Sequence, residues 1–281
     1  MSRDIKIFLY VDFIGLLCYN VFEKRRRCGM LSEKRIKAEL KRLGVDIPVV
    51  FYDTTDSTNT RAKEYARTKD SRTPTLFIAN AQSGGRGRMG RSFVSREGAG
   101  IYMSLLLYPD ERGFDATRAT ARAAVALSRA IDTLAEVRSD IKWVNDIYLG
   151  GKKLAGILCE GEVLQSGEIG YLVVGMGINV YKNAISEEIS DIATSIESES
   201  KRVPDRSELA AGIVKEMLEP RPSFFDEYKS RSMVIGKTVR VVKPDIQFDA
   251  TVLDLNEDFS LTIEHNGKRE RLFTGEVSLK I

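Results

Sequence analysis

One glycine-arginine loop set between two apolar strands limits the folds open to this chain. "TPTLFIANAQ" (Thr73–Gln82) and "GIYMSLLLYP" (Gly100–Pro109) are short apolar runs of the length expected for buried strands. Between them, "SGGRGRMGRS" (Ser83–Ser92) holds four glycines and three arginines. Gly85-x-Gly87-x-x-Gly90 fits the dinucleotide fingerprint, and Gly85 through Gly90-Arg91-Ser92 fits a P-loop with arginine in place of lysine. Both motifs need a helix directly after the loop, because the phosphate sits on that helix's N-terminus. A strand follows instead, so neither motif applies. A long, disordered RNA-binding segment fits no better, since this loop is brief and hemmed in by strands. Three arginines in one short loop repel one another unless an anion is shared, and guanidinium forks grip phosphate and carboxylate groups. The loop reads as an anion clamp whose glycines let it close on its ligand.

What the chain lacks narrows the chemistry. Its only histidine, His265, sits in "EHNGK" and is expected at a solvated hairpin tip. That leaves little material for a Ser-His-Asp or Cys-His nucleophile or for a zinc site built on several histidines. Cys18, Cys28 and Cys159 are scattered and odd in number, which fits a reducing, cytoplasmic setting better than a disulfide framework. With 43 basic against 40 acidic residues, the net charge of +3 is too even for a dedicated nucleic-acid binder. The chemistry therefore falls to Lys, Arg, Asp and backbone amides, with no protein-held metal expected. The apolar run Ile5–Phe22 is interrupted by Asp12 and Asn20 and followed, not preceded, by basic residues. It matches neither a membrane span nor a signal peptide. Residues 1–29 are expected to form a poorly structured N-terminal extension, and no membrane association is expected.

The remaining pattern predicts an α+β fold, a mixed β-sheet flanked by helices with a small C-terminal β-barrel. Helices are expected at about 32–43, from "DSTN" onward, over "DATRATARAAVALSRAIDTLAEV", and around Leu209, Ile213 and Leu218. "SDIKWVNDIYLGGKKLAGILCEGEV" and "GEIGYLVVGMGINV" read as hairpin-linked strands. From about Met233 the chain alternates with period two, and Asn266-Gly267 signals a hairpin turn. The expected division is 30–231 for a catalytic unit and 232–281 for the β unit.

Several polar residues could join the loop in one site. "KWVNDIYL" supplies Lys142, Asn145 and Asp146, and "GGKKLAGIL" supplies Lys152 and Lys153. Gly175 and Gly177 inside a strand imply a bulge or a close backbone approach. Each feature has an ordinary reading as edge lysine or turn former. Together they describe a site with several cations, one carboxylate suited to a metal-bound nucleotide, and no nucleophile.

In order, "DSTN", "GGRGRMGR", "KWVNDIYL", "GKKLAGIL", "VVGMGINV" and "GEVSLKI" resemble biotin protein ligases, over about residue 50 to the C-terminus. The resemblance implies a catalytic fold like that of class II synthetases, followed by an SH3-like barrel. It implies formation of biotinyl-adenylate from biotin and Mg-ATP, then transfer of biotin to a lysine of a biotin carboxyl carrier protein or domain. By this resemblance Ser57, Thr58, Asn59 and Gln82 surround the ureido ring of biotin, and Arg86, Gly87 and Arg88 belong to a loop that folds over it. Lys153 would contact the biotin carboxyl and the adenylate phosphate. Arg88, Arg91, Lys142, Asn145, Asp146 and Asn179 would serve the ATP side, and Lys153, Asp146 and Arg88 the catalytic steps. Val144 stands where the family usually has proline, which alters turn stiffness but no reacting group. Only 56 residues precede Ser57, without a helix-turn-helix pattern. The expectation is a monofunctional ligase, monomer or homodimer, with no DNA partner. A lipoate or octanoate ligase and a biotin-responsive repressor are the alternatives.

Overall fold

A computed structural model describes residues 30–68, 71–108, 116–219, 224–243, 246–273 and 276–279. The extension expected at 1–29 lies outside them. The opening helix α1 (Glu33–Arg42) buries Ile36 and Leu40 one turn apart. Strand β1 (Val49–Thr55), helix α2 (Thr58–Thr68), strand β2 (Thr75–Gln82) and strand β3 (Gly100–Leu107) follow. The long helix α3 (Ala116–Ala135) leads to β4 (Asp140–Lys142), β5 (Asp146–Leu149), β6 (Lys152–Val163) and β7 (Ile169–Asn179). Short helix α4 (Ile196–Glu199), then α5 (Arg206–Leu218) and α6 (Phe225–Ser230), precede five strands, β8 (Thr238–Lys243), β9 (Ile246–Leu255), β10 (Leu261–His265), β11 (Lys268–Leu272) and β12 (Glu276–Leu279).

The first seven strands form one sheet in the order β1-β2-β3-β7-β6-β5-β4, parallel only at β1–β2. Alternation divides its faces. Leu76, Ile78, Met103, Leu105, Val174 and Met176 point toward the core under α1, α3 and α5. Phe77, Leu106, Tyr171 and Val173 face α2 through Ala62. Both faces are covered, which is why β2, β3 and β7 carry almost unbroken apolar runs.

The second sheet, β11-β10-β9-β8-β12, is wholly antiparallel. Asn266 and Gly267 both take positive φ, 49° and 71°, as the two-residue hairpin turn between β10 and β11 requires. His265 differs from its expectation. It ends β10, half-buried, with its ring 4.5 Å from that of Phe248 and Nδ1 2.6 Å from the Asp249 carbonyl. The reason is strand pairing, which carries the residue before the turn into the sheet.

Phe259 joins the two sheets. It is 1% exposed, and its ring stacks on Phe224 and meets Phe225 and Tyr228 edge-on at 5.3–5.7 Å. Its carbonyl accepts a 2.7 Å hydrogen bond from Trp143 Nε1. Phe259 also holds a φ of 62°, unfavourable for a bulky side chain, so its surroundings must hold it there. Trp143 is the chain's one tryptophan and thus a built-in reporter. Phe259→Ala should destabilise the fold by about 3–5 kcal/mol and shift Trp143 fluorescence to longer wavelength in the native state. Urea unfolding followed by tryptophan emission measures both.

Candidate functional site

A cavity open to solvent lies on the α2 side of the central sheet. Its floor begins with strand register. Ser104 pairs with Gly175 across β3–β7, and Gly156 pairs with Gly177 across β6–β7. Alternation puts these residues on the face that carries Val173, but the glycines project no side chain there. Neighbouring groups fill the space. A Cβ on Gly175 would lie 2.1 Å from Asn59 Oδ1, and one on Gly177 would lie 2.6 Å from the Phe93 ring. The close approach expected from glycines within a strand is thus a contact with one residue of α2 and one of the arginine loop.

The first wall is the N-terminus of α2. The Thr58 N–H, one of the donors a helix start leaves without an intrahelical partner, donates to Gln82 Oε1 at 2.8 Å. Gln82 Nε2 donates to Ser95 Oγ at 3.0 Å. Asn59 Nδ2 donates to Glu160 Oε2 at 2.8 Å and to the Leu158 carbonyl at 3.3 Å. Ser57, Thr58 and Asn59 are all buried, so this wall is polar yet closely packed. Burial alone would raise the Glu160 carboxyl above its usual range. Hydrogen bonds from Lys63 and Asn59, with the charges of Lys63 and Arg86, outweigh burial and hold it low.

The second wall is the loop itself. Gly87 N–H donates to the Arg91 carbonyl at 2.7 Å and Phe93 N–H to the Gly85 carbonyl at 2.9 Å, while Arg86 and Ser92 form an antiparallel bridge. The loop is therefore a self-paired finger tipped by a short 3-10 turn, Arg88–Gly90. Arg88 Nη1 reaches across to donate to Asn145 Oδ1 at 2.9 Å. Asn145 is itself fixed, with its Nδ2 donating to the Ile157 carbonyl at 2.9 Å.

A β-bulge builds the third wall. Ile147 pairs with Ala155 but Tyr148 pairs with Lys153, leaving Leu154 with no residue opposite. The bulge lets Leu154 and Ala155 both enter the core and turns Lys153 onto the cavity face. There Lys153 Nζ lies 2.8 Å from Asp146 Oδ1. Lys142 stands beside them, 5.5 Å over the Tyr148 ring. The preceding Trp143–Val144 peptide is cis.

Ser57, Thr58, Asn59 and Gln82, together with Arg86, Gly87, Arg88 and Arg91, all line this cavity. So do Lys142, Asn145, Asp146 and Lys153. Asn179 does not. It is 7% exposed, and its Nδ2 donates to the Thr194 carbonyl at 3.1 Å. Thr194 N–H in turn donates to the Lys153 carbonyl at 2.9 Å, so Asn179 braces the strand that carries Lys153. The sequence reading missed Phe93, Trp143 and Val277 in the lining. Trp143 lay in plain view inside "KWVND". Val277, from the second sheet, left no local signal, because only the joining of the two sheets brings it near.

Among the described residues the lining holds five cations, Arg86, Arg88, Arg91, Lys142 and Lys153, against one carboxylate, Asp146, and no cysteine or histidine. Such a site neutralises anions and, without a cysteine or histidine in its lining, cannot assemble one of the usual covalent triads.

Residues 51–179 match the family model described as the biotin/lipoate A/B protein ligase family. The chain is 31% identical over 268 residues to the bifunctional ligase/repressor BirA of Bacillus subtilis, covering 90% of this chain and 81% of that one. It is 31% identical over 215 residues to the biotin–[acetyl-CoA-carboxylase] ligase of Mycobacterium tuberculosis, covering 72% and 77%. Among solved structures, the biotin protein ligase of Aquifex aeolicus in complex with biotin and ATP superposes with a TM-score of 0.70 at 28% identity, over 83% of this chain and 98% of that one. Fold, cavity and relatives agree, and the chain belongs to the biotin/lipoate A/B protein ligase family.

Proposed function

We propose that the chain is an ATP-dependent biotin protein ligase. It activates biotin as biotinyl-5'-AMP with release of pyrophosphate and then transfers biotin to a lysine of a biotin carboxyl carrier protein. The observation that carries this reading is the make-up of the cavity. A packed polar wall at Thr58, Asn59 and Gln82 shares it with five cations and one carboxylate, in a chain similar to a ligase solved with biotin and ATP.

In the first step the biotin carboxylate attacks the α-phosphorus of ATP, and the bond to the bridging oxygen breaks as pyrophosphate leaves. Both reactants are anions, so the barrier is largely their repulsion. Lys153, Arg88 and Lys142 reduce it, and the Arg88–Asn145 bridge keeps one guanidinium over the reacting centre. Because the substrate supplies the nucleophile, no Ser, Cys or His is needed. In the second step the carrier lysine attacks the acyl carbon and AMP leaves with the electron pair of the broken C–O bond. Asp146, next to Lys153, accepts the proton the amine sheds. The arginine finger keeps water from the mixed anhydride while the carrier docks.

Among the described residues no group of three or more His, Cys, Asp or Glu side chains is placed to hold a metal. Asp146, with Asn145 beside it, fits a magnesium ion carried by the nucleotide phosphates. When bound, that ion supplies further charge neutralisation there. The same reading takes 30–231 as the catalytic unit and 232–281 as a β unit that completes the cavity through Val277. It includes a cytoplasmic setting and no DNA-reading role. Among the described residues, no helix is long and apolar enough to cross a membrane.

Biotin-dependent exchange of pyrophosphate into ATP should be present in the wild type, absent with lipoate in place of biotin, and followed by transfer of labelled biotin to a carrier domain. Exchange with lipoate but not biotin would overturn the reading. Lys153→Ala should slow exchange by about a hundred- to a thousandfold with an unchanged melting temperature. Gly177→Ala pushes Phe93 and the arginine finger off the sheet. Its exchange rate should fall by up to about a hundredfold, measured in the same assay.

A further inference from the structure

Glu160 and Lys63 lie outside the cavity lining, and the mechanism above gives them no part. Lys63 Nζ lies 2.6 Å from Glu160 Oε1, and the other carboxylate oxygen holds Asn59. Lys63 projects from α2, which also carries Asn59, and Glu160 projects from β6 on the cavity side of the sheet. A surface ion pair would be worth little, but this one ends on a buried amide.

An amide side chain has two N–H donors and one acceptor oxygen. Both neighbours of Asn59 Nδ2, the Glu160 carboxylate and the Leu158 carbonyl, can only accept. Asn59 therefore has one allowed orientation, with Oδ1 turned to Ser104 Oγ at 2.6 Å. The single proton of Ser104 is then committed to Asn59. Thr58 Oγ1 lies 2.7 Å from Ser104 Oγ and 3.1 Å from Gln82 Oε1, which can only accept, so the one Thr58 proton stays within the wall. The result is a directed chain from Lys63 through Glu160 and Asn59 to Ser104. Beside its end Thr58 Oγ1 and Asn59 Oδ1 keep only acceptor capacity for a bound molecule.

We infer that the Lys63–Glu160 ion pair is a specificity device, which sets the hydrogen-bond polarity of the α2 wall so that it accepts from N–H donors. Resting on the ligase reading, this selects a cyclic urea, whose ring carries N–H groups, over a dithiolane ring, which has none. Glu160 and Lys63 are positioning residues, since neither touches the ligand. A neutral Glu160→Gln can present its own N–H to Asn59, which leaves only the 3.3 Å contact with the Leu158 carbonyl to favour that amide orientation.

The test is isothermal titration of Glu160→Gln and Lys63→Met, full-length, with biotin alone and with ATP alone, beside their melting temperatures. Glu160→Gln should weaken biotin binding by about tenfold or more, the loss of one well-placed buried hydrogen bond. ATP affinity should stay within about twofold. Lys63→Met should act in the same direction by a smaller factor, and it carries the test if Glu160→Gln is insoluble. Biotin affinity unchanged in both variants overturns the inference, as does an equal loss of biotin affinity, ATP affinity and melting temperature. A wild type that binds no biotin would instead sink the ligase reading, so the two failures are distinguishable.

Discussion

Close contact between side chains and bare backbone at Gly175 and Gly177 is what the cavity rests on. Any side chain at these positions would occupy the space now filled by the Asn59 amide and the Phe93 ring. Those two residues belong to the helix and the loop that form two of the walls, so how closely both walls approach the floor follows from two missing Cβ atoms. Packed interiors change in discrete steps rather than deforming smoothly. A wall lifted by one methyl group would carry its whole hydrogen-bond network with it.

The second constraint is charge. Five cations around one cavity are unfavourable without anions, and the chain manages this by holding three of them on a finger outside the sheet. That finger is paired to itself through Gly87–Arg91 and Gly85–Phe93 and anchored across the cavity by Arg88–Asn145. Lys153 is neutralised in place by Asp146. Arg88 and Lys153 thus each have a partner within the protein, and all five cations line the cavity that a phosphate or carboxylate would enter.

The second sheet takes part in the site through packing. Phe259 carries the Trp143 indole on its carbonyl, and its ring is seated among Phe224, Phe225 and Tyr228. Trp143 lies between Lys142 and the turn that leads to Asn145 and Asp146. A disturbance at Phe259 therefore reaches Lys142, Asn145 and Asp146 through a single indole. This gives the small C-terminal sheet a structural reason to accompany the larger one.

Much of this was legible in the residues. The strand after the arginine loop excluded two phosphate-loop folds, and the glycines within β7 announced a close approach. The lone histidine removed the usual nucleophilic chemistries. These inferences hold because they depend on local properties such as periodicity, the absence of Cβ and the inventory of titratable groups. Three other matters are non-local. The bulge at Leu154 reverses the direction of Lys153, and strict alternation would have sent that lysine into the core with Ala155 and Ile157. Asn179 follows its glycine motif yet turns to Thr194 instead of the cavity, because the Thr194 carbonyl, brought there by its pairing with Lys153, takes its amide. The orientation of the Asn59 amide is set by Glu160, 101 residues away. Sequence alone determined which groups were available and which chemistry they could support. Tertiary structure decided which way those groups point, because side-chain direction depends on register, bulges and partners brought together only by folding.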